Sequence, residues 1–408
     1  MRVLIYSVSA GAGHIRAAEA VLSAFRRYHP TVEVEHVDVM KLVPKAFKKA
    51  YADSYLKVVN SLPSIWGWLY AKADKIPQTS AMVSVRKFVQ KLNTNEIREH
   101  AAERDPDVIL TTHFLPAEIF SDLARKRRKN GSERPKLGVV ITDHDVHQLW
   151  VHPNVDRYYT ASEEIKFLLA ERLISADLIR ATGIPCDPIF GEPLDEPARQ
   201  RLRKIIGLSN APSPTLLLNA HGCGVTGGAA AASLGGVVNS LLRKGPPRTI
   251  LIVCGRNATI KESLNNTIRI PPGSVVRMYD YVTNMHELMG IADVIVTKPG
   301  GLTSAECLAR GLPMVLASPI PGQEERNAEM LLENGCAVLA RTPGALLYKL
   351  DLLLSEPQRL ARMREGCRRI AKPNAAADIA SDVVQLAGRN GKKGSSMRMR
   401  AVLAEASK

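Results

Sequence analysis

Polar residues capable of chemistry gather just after short apolar runs in this chain. From Val296 to Asn327 it reads VTKPGGLTSAECLARGLPMVLASPIPGQEERN. The apolar run 292–296 feeds a Pro-Gly-Gly turn at Gly300 and Gly301, and a helix starting near Thr303 carries one acid, Glu306, in its first turn. A glycine-opened helix N-terminus offers backbone N–H groups and a positive dipole end to phosphate. A carboxylate can accept both hydroxyls of a ribose. The alternative for Glu306 is a surface ion pair with Arg310, four residues on. After a second apolar run, 313–317, the cluster Gln323, Glu324 and Asn327 has the donors and acceptors that bind sugar hydroxyls. Together these features describe a nucleotide pocket at the strand ends of an α/β sheet.

Two further glycine loops follow apolar runs. Ser9-Ala10-Gly11-Ala12-Gly13-His14 lets a ligand approach the backbone, and a histidine at a glycine-bounded strand end is placed for proton transfer. A tight turn with a locally bonded His14 is the plainer reading. In 219–228, NAHGCGVTGG, the N–H groups around Gly222 and Gly224 can cradle a diphosphate ahead of an Ala-rich helix. No Gly-Lys-Ser/Thr follows, so this is not a nucleoside-triphosphate P-loop, and the spacing is not that of a dinucleotide fingerprint. Arg256, in Cys-Gly-Arg-Asn after a strand, can neutralise phosphate charge. The loop 281–285, with Val282, can present backbone groups to a base edge.

A third constellation is Thr142-Asp143-His144-Asp145-Val146-His147 with Trp150 and His152. Three histidines and two aspartates in eleven residues suggest a metal, but the helix spacings of zinc enzymes are absent. Contacts to a second substrate or proton handling are the expectation, with Asp143 a candidate and His113 joining from the preceding strand end.

The elements that position these residues alternate. Strand-like runs at 3–7, 32–37, 108–111, 138–142 and 158–161 alternate with helical segments, and a second series starts at 214–219, 249–254, 275–279, 292–296 and 313–317. Such alternation indicates parallel sheets with helices on both faces. The Pro- and Gly-rich 185–194 reads as a linker, giving domains at 1–190 and 191–386 and a basic tail at 387–408.

At 408 residues two domains are expected. With 45% hydrophobic and 23% charged residues the composition is that of a globular protein. No run approaches the roughly 18 apolar residues of a membrane span, and the first residues read as a buried strand rather than a signal peptide. Six cysteines lack paired metal spacing, which argues for a reducing cytoplasm without a disulfide framework. The net charge of +15 is uneven: residues 41–91 hold ten Lys/Arg against two Asp. No nucleic-acid motif accompanies it, so no nucleic-acid partner is expected.

Taken together, SAGAGHIRAAEA, THFLPAEIF, TDHDVHQLWVHPNVDRYYTAS, TGIPCDPIF, NAHGCGVTGG, VCGRN, YVTNMHELM, PGGLTSAECLARGLPMVL and GQEERN resemble glycosyltransferase family 28. The resemblance spans about Val3 to Val338. It is nearest to the branch of processive diacylglycerol glucosyltransferases and monogalactosyldiacylglycerol synthases. It implies a GT-B fold, two Rossmann-like domains facing across a cleft. The second domain would bind a UDP-sugar: the backbone at Val282 on uracil, Glu306 on ribose, Gly222, Gly224, Arg256, Gly300, Gly301 and Thr303 around the diphosphate, Gln323 and Glu324 on the sugar. The first domain would bind the lipid. The UDP-sugar is a co-substrate, and no cofactor or metal is implied for the inverting chemistry. One departure matters: galactosyltransferase-type relatives carry an Asp in the first glycine loop as proposed base, and Ser9 stands there. His14 becomes the leading base and Asp143 the second.

A lipid acceptor also gives the segment 41–91 a meaning. Trp66, Trp68 and Tyr70 beside Lys57, Lys72 and Lys75 suit a bilayer interface with anionic headgroups, though a core helix would use the same aromatics. His113, His147 and Trp150 are the acceptor-side candidates. The expected activity is transfer of glucose from a UDP-sugar to diacylglycerol on the cytoplasmic face of the membrane, processive where the product re-enters as acceptor. Alternatives are a UDP-galactose-dependent monogalactosyldiacylglycerol synthase and an N-acetylglucosamine transferase acting on a polyprenyl-linked acceptor. A UDP-sugar 2-epimerase and a nucleic-acid-binding protein are more distant ones.

Overall fold

The computed structural model describes residues 1–9, 11–49, 94–129, 135–220, 228–317 and 319–388. Trp66, Trp68, Tyr70, Gly222, Gly224 and the basic tail from 389 lie outside them. The chain forms two compact units. One comprises Met1–Pro188, Ile320–Gln323 and Asn374–Lys408; the other Ile189–Pro319 and Glu324–Pro373.

The first unit is a six-stranded parallel sheet. Its strands are β1 (Arg2–Ser7), β2 (Glu33–Asp38), β3 (Val108–Thr111), β4 (Lys136–Val140), β5 (Arg157–Tyr159) and β6 (Ile179–Arg180), in the spatial order β2-β1-β3-β4-β5-β6. Helices α1 (Ala12–Tyr28), α2 (Asn95–Arg104), α3 (Phe114–Lys129) and α4 (Glu163–Glu171) belong to it. Apart from Arg2, strands β1 and β3 are buried throughout, which is why they read as continuous apolar runs rather than alternating ones. Gly138 in β4 is required by packing: a Cβ there would meet Leu110 Cδ1 at 2.7 Å and Tyr159 Cε2 at 3.4 Å.

The second unit repeats the logic with β7 (Thr215–Asn219), β8 (Thr249–Val253), β9 (Val275–Tyr279), β10 (Val294–Thr297), β11 (Met314–Ala317) and β12 (Ala337–Ala340). All pairings are parallel, and the spatial order is β12-β11-β10-β7-β8-β9. Between and after these strands run α5 (Glu196–Ile205), α6 (Gly228–Arg243), α7 (Ala258–Thr267), α8 (Met285–Ile291), α9 (Gly301–Arg310), α10 (Gln323–Glu333), α11 (Pro343–Ser355) and α12 (Pro357–Ile370).

The order reverses direction once in each sheet, between β1 and β3 in the first unit and between β7 and β10 in the second. In open α/β sheets the crevice outside the strand carboxyl ends at such a reversal is where ligands bind. His14, in the first turn of α1, and His113 follow β1 and β3; Gly300 and Gly301, at the start of α9, follow β10.

The last helix, α13 (Ala375–Gly388), departs from the sequence expectation, which placed residues to 386 in the second domain. It groups with the first unit because its Ala376, Ile379, Ala380 and Val383 join the cluster of Ala18, Val21, Ala24 and Phe25 from α1. Asp382 adds a polar anchor: it accepts the Tyr159 hydroxyl at 2.9 Å and pairs with Arg157 Nε at 2.9 Å and Arg180 Nε at 3.7 Å. The segment 185–194, read as a linker, holds the first of four passages between units, and Gly191 packs on Pro373 beside the last, where a Cβ would sit 2.9 Å from the Pro373 Cβ. Strands β6 and β12 were not anticipated; the first has only two residues.

Candidate active site

In the first unit the carboxyl ends of β1, β3 and β4 bring His14, Thr112 and Thr142 together. His14 is the third residue of α1, behind Gly11, whose φ of 106° is open to glycine and strained for other residues. Its Nδ1 lies 2.8 Å from the Thr112 carbonyl oxygen and 3.1 Å from Thr142 Oγ1. A carbonyl only accepts, so Nδ1 carries the hydrogen and Nε2 holds the lone pair. Thr112 Oγ1 donates back to the His14 carbonyl at 2.8 Å.

Aromatic rings close around it. His113 stands edge-on to His14, ring centres 4.6 Å apart, and Trp150 lies 6.4 Å from His14. Phe114 contacts both His113, at 4.1 Å, and Trp150, at 5.9 Å. His113 is buried and its Nδ1 accepts the Leu115 amide at 3.0 Å, which leaves its proton on Nε2. Withdrawal from water lowers the His14 pKa; the negative charge of Asp143 and the bond to Thr112 oppose it. Burial holds His113 well below the ordinary histidine value, with the neighbouring His14 adding to the shift. His144, similarly withdrawn, falls to about 4. All three are therefore neutral imidazoles at pH 7.

Asp143, His147 and Trp150 are buried around the same strand end. His147 Nδ1 accepts the Leu149 amide at 3.1 Å and caps the short turn Gln148–Trp150 that carries the tryptophan. The His/Asp run is thus taken up in local capping and in the field at His14. Among the described residues no three His, Cys, Asp or Glu side chains converge as a metal ion needs.

In the second unit α9 begins directly behind β10. Gly300 caps it and Gly301 is its first residue, so Glu306 is the sixth, in the second turn rather than the first as expected. Thr303 is half-buried in the opening turn, whose N–H groups lack intrahelical acceptors. Gly300 has an ordinary φ of −68°, and nothing lies within 4 Å of where its Cβ would be. Neither backbone nor packing requires glycine there.

Glu306 is 2% exposed, facing into the unit. Its charge adds to the burial that pushes the Cys307 thiol up. Arg310, its sequence neighbour at i+4, donates to the carbonyls of Glu192 at 2.8 Å and Ile189 at 2.7 Å. Arg256 lies beyond β8 with its guanidinium 4.5 Å over the Tyr281 ring, so the two loops after β8 and β9 meet. Val282 is half-buried beside that stack. Gln323 and Glu324, both half-buried, open α10, and Asn327 is fully buried one turn later.

Thr112 and Phe114 were not singled out from sequence, and Thr142 was noted only as the first member of the His/Asp constellation, without a role. Their signal was position alone: each follows a strand of a parallel sheet within two residues of a histidine or aspartate.

Residues 14–186 match the family model described as monogalactosyldiacylglycerol (MGDG) synthase, and residues 223–383 match the glycosyltransferase family 28 C-terminal domain. The chain belongs to glycosyltransferase family 28. Among curated relatives of this family 28 member is a processive diacylglycerol beta-glucosyltransferase of Staphylococcus saprophyticus, 27% identical over 390 residues, covering 94% of this chain and 93% of that protein. Among solved structures, MurG of Acinetobacter baumannii superposes with a TM-score of 0.59 at 16% identity, covering 94% of this chain and 99% of that one. The UDP-GlcNAc 2-epimerase of Neisseria meningitidis also gives 0.59, at 14% identity, covering 94% and 100%. These structural likenesses establish the GT-B fold class, two Rossmann-like units.

Proposed function

We propose that this family 28 glycosyltransferase moves glucose from UDP-glucose to the free hydroxyl of diacylglycerol, forming a β-linked glycolipid. The observation that carries the reading is the site at the β1–β3 reversal: a half-buried neutral imidazole with its Nδ1–H bonded and its Nε2 lone pair open, in the unit that matches the MGDG synthase model. The relatives named processive diacylglycerol β-glucosyltransferases align over both units, which favours the lipid acceptor and glucose.

His14 Nε2 takes the acceptor hydroxyl proton as that oxygen bonds to the anomeric carbon. The bond from that carbon to the UDP oxygen breaks on the opposite face, so configuration inverts and UDP leaves with the electron pair. The opening turn of α9 at Gly300, Gly301 and Thr303 stabilises the departing charge, joined by Arg256. Gly222 and Gly224 belong to the same proposal on sequence grounds. Val282 offers its backbone to uracil, Glu306 takes the ribose hydroxyls, and Gln323 and Glu324 the sugar. The aromatic wall of His113, Phe114 and Trp150 borders the acceptor, with His147 holding the turn that bears Trp150. No cofactor enters this scheme.

Diacylglycerol resides in bilayers, so the enzyme works as a peripheral protein on the cytoplasmic face. No described helix is long and apolar enough to cross a membrane. Phe167 and Leu168 on α4, with Leu173 just beyond it at 96% exposure, give an apolar surface suited to bilayer contact. Arg172 ties that surface to the Trp150 turn through Gln148 Oε1 at 3.0 Å.

The MGDG synthase match favours a second reading, galactose as the transferred sugar. Parallel turnover assays with UDP-glucose and UDP-galactose on diacylglycerol vesicles separate the two, and N-acetylglucosamine transfer shows as turnover only with UDP-GlcNAc and a polyprenyl-linked acceptor.

A further inference from the structure

We propose that Thr142 is a positioning residue that fixes the plane of the His14 ring, whose tautomer the Thr112 carbonyl sets, and supports the imidazolium formed when Nε2 takes the acceptor proton. The proposal rests on the reading of His14 as the base.

Histidine bases commonly have a carboxylate on the ring nitrogen away from the substrate. Here that nitrogen faces the Thr112 carbonyl at 2.8 Å and the Thr142 hydroxyl oxygen at 3.1 Å. Because the Nδ1 hydrogen is committed to the carbonyl, Thr142 Oγ1 can only accept from it, making the second arm of a three-centre bond. Both acceptors are neutral. The negative charge acting on the ring is that of Asp143, the residue after Thr142.

The placement follows from the sheet. Thr112 follows β3 and Thr142 follows β4, and these are adjacent strands with Leu110 opposite Gly138 and Thr111 opposite Val139. Their extensions flank the imidazole, and both threonines are buried. A carbonyl alone leaves the ring free to pivot about one bond; a second acceptor from the next strand fixes its plane. The edge-on His113 ring packs against it from another side. Acceptance by Thr142 strengthens as positive charge develops on the ring, so the contribution is larger in the transition state than in the resting enzyme.

The test compares full-length wild type with Thr142→Val, Thr142→Ser and His14→Gln, using diacylglycerol vesicles and UDP-glucose. Valine keeps the shape and removes the acceptor; Thr142→Ala gives the same contrast if valine prevents folding. The expected result for Thr142→Val is a fall in kcat of about 10- to 100-fold, below the roughly 100- to 10,000-fold that a general base itself contributes, with an unchanged KM for UDP-glucose. The acid limb of its kcat profile and the His14 imidazole pKa followed by NMR both move to lower pH, because the imidazolium has lost a partner, while the Nδ1–H form set by the Thr112 carbonyl is kept. Thr142→Ser restores kcat and the acid limb. Wild-type kcat or an unshifted acid limb in Thr142→Val overturns the proposal. Full turnover in His14→Gln instead overturns the base reading, and the NMR titration of His14 in Thr142→Val then still decides whether Thr142 supports the imidazolium.

Discussion

His14 and Thr112 hold each other by two bonds of 2.8 Å, one from the imidazole Nδ1–H to the Thr112 carbonyl and one from the Thr112 hydroxyl to the His14 carbonyl. The pair locks the first turn of α1 to the end of β3 across the reversal point of the first sheet. It fixes which ring nitrogen is free, and so where a proton can be received.

Replacing His14 by Gln is expected to reduce kcat by at least about 100-fold while leaving the affinity for UDP unchanged, since the residues proposed for uracil, ribose and diphosphate lie in the other unit. In the wild type the His14 pKa is lowered, chiefly by withdrawal from water. A base is active when neutral, so kcat/KM should hold its plateau below pH 6.5 and decline only as pH falls through the lowered value. A pH–rate profile checks the sign: an acid limb above 6.5 contradicts it.

Stability should fall in the same direction. His113 and His144 are neutral in the fold, the latter down to about pH 4, whereas in the unfolded chain they take up protons near 6.5. The unfolded state therefore binds more protons between these values, and stability rises with pH across that window. Below pH 6.5 unfolding becomes easier, and for His144 the loss stops growing once pH has passed about 4. Urea denaturation at pH 7.5, 6 and 5 measures this, and His144→Gln should flatten part of the slope.

Gly300→Ala separates folding from binding. The added methyl meets nothing within 4 Å and φ is already −68°, so thermal stability should change by less than about 1 kcal/mol. If the UDP diphosphate rests on the opening turn of α9, the methyl intrudes on it, and affinity for UDP should drop about 10-fold or more. Unchanged UDP binding by calorimetry would remove Gly300 from the donor site.

Asp382 fastens α13 to the first unit through Tyr159, Arg157 and Arg180. Removing one partner of a largely buried ion pair leaves the other charge uncompensated, so Asp382→Ala should cost about 3 kcal/mol. The surface pair Arg125–Asp122, at 3.7 Å and i,i+3, is a control: Asp122→Ala should change stability by less than about 0.5 kcal/mol. Equal thermal shifts in the two variants would contradict the anchoring role.

Much of this architecture was legible in the residues. Doubly covered parallel strands must be apolar on both faces, so 3–7, 108–111, 249–254 and 313–317 stood out as runs. What local pattern does not encode is partnership. The α13 stripe of Ala376, Ile379, Ala380 and Val383 announces a helix with one apolar face, but not that the face lies on α1, some 350 residues earlier in sequence. Strand β6 is too short to read. At the site, His14, His113 and Trp150 were visible as residue types behind strands. The part of Thr112 and the role of Thr142 were not, because they act through a backbone carbonyl and a hydroxyl whose meaning exists only once β3 and β4 are neighbours. Glu306 was marked for its chemistry; its burial follows from α9 starting at Gly301, which turns that position inward.

The most direct measurement is lipid mass analysis after incubating the full-length protein with diacylglycerol vesicles and, separately, UDP-glucose and UDP-galactose. The account predicts a monohexosyl diacylglycerol with a β linkage, formed faster from UDP-glucose, with dihexosyl product appearing as the first accumulates. Absence of hexosyl lipid from both donors, in a preparation that binds UDP, would contradict it.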